Sequence, residues 1–206
     1  MKDDRATVLD RIRSASGRRA ARLDRASNTA ALPKIEGDLA ARFAERAVLL
    51  SSDVVGPLAE ADAPRAVADY LRSHHLPLDA VCWPALATLH WRASGIETSA
   101  RAARGDDLVG ITGAFCGIAE TGTLLLLSGD QTPATVSLLP ETHVALLPAK
   151  RLVARMEDAW SLLRREHRAP PRAVNFVSGP SRTADIEQTV TLGAHGPYRV
   201  LIVLTN

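Results

Sequence analysis

The chain has 206 residues, 46% hydrophobic and 4% aromatic, with a formal net charge of +2. That length predicts one domain with a core of Ala, Leu and Val. The near-balanced charge gives no case for a nucleic-acid partner, and no apolar run is long enough to span a bilayer.

Residues 5–31 read as a charged helix in which Val8, Leu9, Ile12 and Leu23 recur among seven arginines, with Gly17 as a break point. Those arginines are expected to be a solvated face. Asp3, Asp4, Asp10 and Asp24 argue against an organellar presequence, and a signal-peptide core is missing, so a cytoplasmic location is expected. Pro33 ends this segment, which divides the chain into an N-terminal helical part, 1–34, and an α/β domain, 35–206. A helix over about 36–49 follows, with Leu39, Phe43, Ala47 and Leu50 at helical spacing. A short strand is expected at Val54-Val55. Ala63 to His74 reads as a helix, with Asp62 as candidate N-cap and Pro64 in its first turn. Ala80 to Trp83 reads as a buried strand. Later strands are expected at Leu108–Thr112, Cys116–Ala119, Thr123–Leu127, Val144–Leu147, Ala173–Val177 and Arg199–Leu204. Lys150 to His167 reads as an amphipathic helix. The alternation of helix and short apolar run predicts an α/β fold: a single domain with a mostly parallel sheet flanked by helices.

Three segments stand out as places for chemistry. In the first, Gly110 to Thr123, four glycines permit tight turns, but their spacing fits neither a dinucleotide fingerprint nor a P-loop. Glu120 there is either a turn residue or a carboxylate facing a ligand, with Thr121, Gly122 and Thr123 beside it. The second, Ser178 to Gln188, is expected to run from a strand through Gly179-Pro180 into a helix start at the carboxyl end of a sheet. Ser181 and Thr183 would offer hydroxyls, and Arg182 a bidentate clamp. A lone Arg is weak evidence in a chain with 22 Arg and 3 Lys. Asp185 and Glu187 disfavour a bare phosphate and favour a small carboxylate; Asp185 is also a candidate cap. The third, Gly193 to Pro197, presents His195 between glycines, next to Gly196, as the best candidate general base. His143 is a further residue for the same cleft, whereas His90 and His167 stand in no motif. No histidine pair has metal-ligand spacing, and Cys82 and Cys116 do not make a zinc or iron–sulfur ligand set, so no metal is expected on this chain.

These segments together resemble the LUD domain of the LutC/YkgG lactate-utilisation family. The resemblance rests on Gly110-Ile111-Thr112, Ala119 to Leu124, Ser137-Leu138-Leu139-Pro140, the long run Ser178 to Glu187, and Gly193 to Pro197, in that order. It implies a fold like the sugar-phosphate isomerase and CoA-transferase group. It further implies a cluster-free subunit that helps oxidise L-lactate to pyruvate together with partner proteins carrying iron–sulfur clusters. In that reading the chain is not active alone; a small carboxylate such as lactate is held by Arg182, and His195 takes the hydroxyl proton. Two other readings stand beside it: a stand-alone CoA-transferase- or isomerase-like enzyme using Glu120, and a non-catalytic adaptor.

Overall fold

The computed structural model describes residues 4–18, 34–169, 171–183, 191–192 and 195–206. The chain divides into two compact units, 1–34 and 35–206. In the first, α1 (Asp4–Arg18) runs straight through Gly17 rather than breaking there. Val8, Leu9 and Ile12 on it are exposed. The expected continuation to residue 31, with Leu23, lies outside the described residues.

The second unit is built on a six-stranded sheet of β1 (Asp53–Leu58), β2 (Asp79–Cys82), β3 (Glu97–Ala100), β4 (Val109–Gly113), β7 (Thr142–Pro148) and β12 (Arg199–Thr205). The spatial order is β1-β12-β7-β4-β2-β3, and every neighbouring pair is parallel. A parallel sheet is covered on both faces, so its central strands read as continuous apolar runs. Val200 to Leu204 is such a run, each residue no more than 2% exposed.

Two helices flank the sheet. On one face, α3 (Ala63–Ser73) packs Val67, Ala68 and Leu71 against Val144, Leu201 and Val203. Pro64 lies in its first turn as expected, but the Asp62 side chain makes no cap hydrogen bond; Asp62 instead closes a short 3-10 turn, Glu60–Asp62. On the other face, α2 (Leu39–Leu49) buries Phe43 and Ala47. Its start is fixed by Asp38, whose carboxylate accepts from Ala40 N at 2.8 Å.

Beside α2 lies a second, mixed sheet ordered β8-β5-β6-β9, formed by β5 (Cys116–Ile118), β6 (Thr123–Leu127), β8 (Leu152–Val153) and β9 (Val174–Val177). Leu124 and Leu126 join the core shared with the central sheet. Leu125 and Ile118 point the other way, to Ala159 of α5 (Met156–Glu166). A four-residue helix, α4 (Thr135–Leu138), packs on β4 and β7.

The helix expected from Lys150 begins six residues later. Lys150 falls in a 3-10 turn, and Leu152-Val153 pair with Gly117-Ile118 as an edge strand. The start is set where Asp158 accepts from the Arg155 backbone N–H at 3.0 Å. β3 was not expected at all, because Glu97-Thr98-Ser99-Ala100 is an edge strand without apolar alternation.

Candidate functional site

Ile118 ends β5, and the chain returns as β6 from Thr123. The turn is tight: Gly122 N bonds Ile118 O at 2.9 Å, and Gly122 has φ +67°. A Cβ on Gly122 would strike the backbone of Arg46 and Ala47, so the turn lies directly on the last turns of α2. Gly179, φ +82°, sits against Leu50 in the same way, bringing the end of β9 to the same corner.

These close approaches leave a cavity of about 470 Å³ between α2, the β5–β6 turn and the end of β9. Glu120, Thr121, Thr123, Ser178 and Arg46 line it, with Leu49, Leu50, Met156 and Phe176 as apolar wall. Three hydroxyls form a chain: Thr121 Oγ1 donates to Thr123 Oγ1 at 2.8 Å, and Thr123 Oγ1 meets Ser178 Oγ at 2.8 Å. Glu120 is a turn residue, exposed, and without a side-chain hydrogen bond or ion pair among the described residues. Among the described residues Arg46 is the cation lining the cavity, a residue with no sequence signal beyond its place in the last turn of α2.

Arg182 does not line this cavity. It donates to Leu50 O at 3.3 Å and to Ser51 Oγ, tying the 178–183 segment to the corner between α2 and β1. The expected helix start is absent at Arg182-Thr183: these form β10, paired antiparallel with Thr191-Leu192 as β11. Asp185 and Glu187 lie outside the described residues. The segment does leave the carboxyl end of a strand, β9, but that strand belongs to the smaller sheet. Ser51 and Leu50 precede β1, and Ser181 N bonds Pro197 O just before β12, so this segment wraps the amino ends of the central strands. His195 is exposed on the same side; its neighbour Gly196 packs near Ser181, and neither lines the cavity.

His143 is in the core, not in the cleft. It is fully buried, its Nε2 lies 2.8 Å from Thr112 Oγ1, and its Nδ1 has no partner among the described residues. Burial pushes its pKa down to about 4. Cys82 and Cys116 are buried in separate parts of the core. Among the described residues no group of three or more His, Cys, Asp or Glu is placed to hold a metal ion, and no helix is long and apolar enough to cross a membrane.

The fold is similar to that of a solved structure of a DUF162-family protein from Deinococcus radiodurans. That structure aligns at TM-score 0.65 with 21% identity, over 84% of this chain and 100% of the other. The LUD domain family model matches residues 62–205, and the chain belongs to that family. Among curated relatives, lactate utilization protein C 1 of Bacillus mycoides is 37% identical over 131 residues, 61% of this chain and 56% of that protein. Lactate utilization protein C of Bacillus subtilis is 34% identical over 130 residues, 60% of this chain and 53% of that protein. The chain thus spans about half the length of these relatives.

Proposed function

We propose that this chain is the cluster-free component of a bacterial lactate-utilisation system and that its cavity holds a lactate-sized 2-hydroxy carboxylate. One observation carries the reading: Arg46, Glu120 and the Thr121–Thr123–Ser178 hydroxyl chain converge on one cavity. The Arg46 guanidinium suits the carboxylate of the acid. The hydroxyls orient it, and Glu120 accepts the hydrogen bond of its 2-hydroxyl. Arg182 serves as a positioning residue, holding the segment that carries Ser178 and Ser181. Oxidation to pyruvate removes two electrons and two protons; in this proposal the electrons pass to iron–sulfur partner subunits and the protons, from the 2-hydroxyl and C2, go to solvent. The curated relatives' names support the substrate class.

Isothermal titration of the purified chain with L-lactate, with acetate as control, tests the binding half. Arg46→Ala and Glu120→Gln are each expected to weaken lactate binding by about tenfold, equivalent to about 1.4 kcal/mol. Unchanged affinity in both variants would remove the cavity from the reading. Co-expression with the products of adjacent genes tests the other half: lactate is expected to reduce an acceptor dye only in the assembled preparation. Turnover by this chain alone would overturn it.

A further inference from the structure

A second cavity, on the opposite end of the central sheet, has no part in that proposal. The strand order sets its place. From β2 the chain moves outward to β3, whereas from β4 it moves the other way, to β7 and β12. Adjacent parallel strands whose connections leave in opposite directions open a crevice at their carboxyl ends, where open α/β sheets bind ligands. Here the residues immediately after β2 and β4, Trp83 and Ala114-Phe115, line a cavity of about 570 Å³. That size is within the range of small-molecule sites.

The walls are aromatic and aliphatic: Trp83, Leu86, Phe115 and Leu127. Both rings are held from behind. Trp83 Nε1 donates to Pro133 O at 3.0 Å, and its ring lies against the end of β4, where a Cβ on Gly113 would sit 3.5 Å from it. Phe115 carries the Arg151 guanidinium 4.6 Å from its centroid, and that guanidinium is forked onto Glu166. One rim is the exposed turn Ser128 to Thr132, closed by paired Gly129–Thr132 backbone bonds, which presents Asp130. His167, edge-on to Phe115 at 5.6 Å, stands at the mouth.

The charge of the lining decides the ligand class. The chain has 22 Arg, yet no Arg or Lys is among the described residues that line this cavity. Among those described residues the only carboxylate is Asp130. Among the described lining residues a phosphate or carboxylate finds neither Arg nor Lys, only His167 at the mouth, whereas a flat ring stacks on aromatic walls and ring N–H or O–H groups donate to Asp130. We propose that this crevice binds an uncharged planar heteroaromatic ring with hydrogen-bond donors on its edge.

The full chain, labelled with nitrogen-15, is titrated with riboflavin and adenosine, and in parallel with their phosphates FMN and AMP. At least one uncharged compound is expected to shift amides of Gly113 to Phe115 and Ser128 to Thr132, leaving those of Glu120 to Thr123 in place. The phosphate esters are expected to bind no more tightly than their uncharged parents. Asp130→Asn, in an exposed turn, is expected to weaken binding about tenfold with the remaining spectrum unchanged. The proposal is overturned if neither uncharged compound shifts crevice amides, if the phosphates bind more tightly, or if Asp130→Asn binds equally well. Lactate binding at the other cavity is read from separate amides, so the two proposals fail independently.

Discussion

At the scale of single residues, the least replaceable positions are those where backbone meets backbone. Gly122 combines a left-handed φ with direct contact on α2, so no side chain fits there. Gly122→Ala is expected to cost about 2–3 kcal/mol, measured by urea denaturation, and to reduce lactate affinity because Glu120 and Thr121 move with the turn. His143 makes stability depend on pH. Its folded pKa is lowered to about 4 from an ordinary value of 6.5, so between those values the unfolded chain holds more protons. Stability should therefore fall as pH drops from about 6.5, by at most about 1.4 kcal/mol per unit from this group. His143→Gln, which retains a donor and an acceptor near Thr112, is expected to flatten the slope between about pH 5 and 6.5 in denaturation midpoints. An unchanged slope would mean that other groups set it.

At the scale of elements, Arg151 joins the end of β4 to α5. Its Nε donates to Phe115 O at 2.7 Å, and its two terminal nitrogens fork onto Glu166 at 2.7 and 2.9 Å. The pair is partly exposed, so Arg151→Lys, which loses the fork, is expected to cost only about 1 kcal/mol. A double-mutant cycle with Glu166→Ala isolates the coupling. Elements buried on both sides were legible in the sequence: β4, β6, β7 and β12 fall within two residues of their apolar runs. What escaped was structure without apolar contrast, such as the edge strand β3. So did structure with the wrong contrast: Leu152 and Val153 share a helical face with α5 on paper, yet they serve a two-residue strand. The site divided along similar lines. Glu120, Thr121 and Thr123 were legible because the turn is local. Arg46 was not, because only tertiary packing brings α2 against that turn. Arg182 was expected as a carboxylate clamp; the partners it has, Leu50 and Ser51, lie far away in the chain.

At the scale of the whole molecule, the two thiols report on the integrity of the core. Burial raises the Cys82 pKa and pushes that of Cys116 up to about 11. Both side chains are buried, which shields the thiols from reagents in the folded protein. Ellman's reagent is expected to label both only as the domain unfolds, with a denaturant midpoint matching circular dichroism. Earlier labelling of one would reveal a part that opens alone.

The strand order has a consequence for how the protein is made. β12, the last of the described strands, lies between β1, the first of them, and β7. While the ribosome is still adding β12, a nascent chain has β1 without its only strand neighbour among the described residues and β7 with one edge open. Unpaired apolar edges recruit other chains, and pairing between such distant segments is slow. A chaperone that shields the gap until β12 emerges is expected to raise the soluble yield.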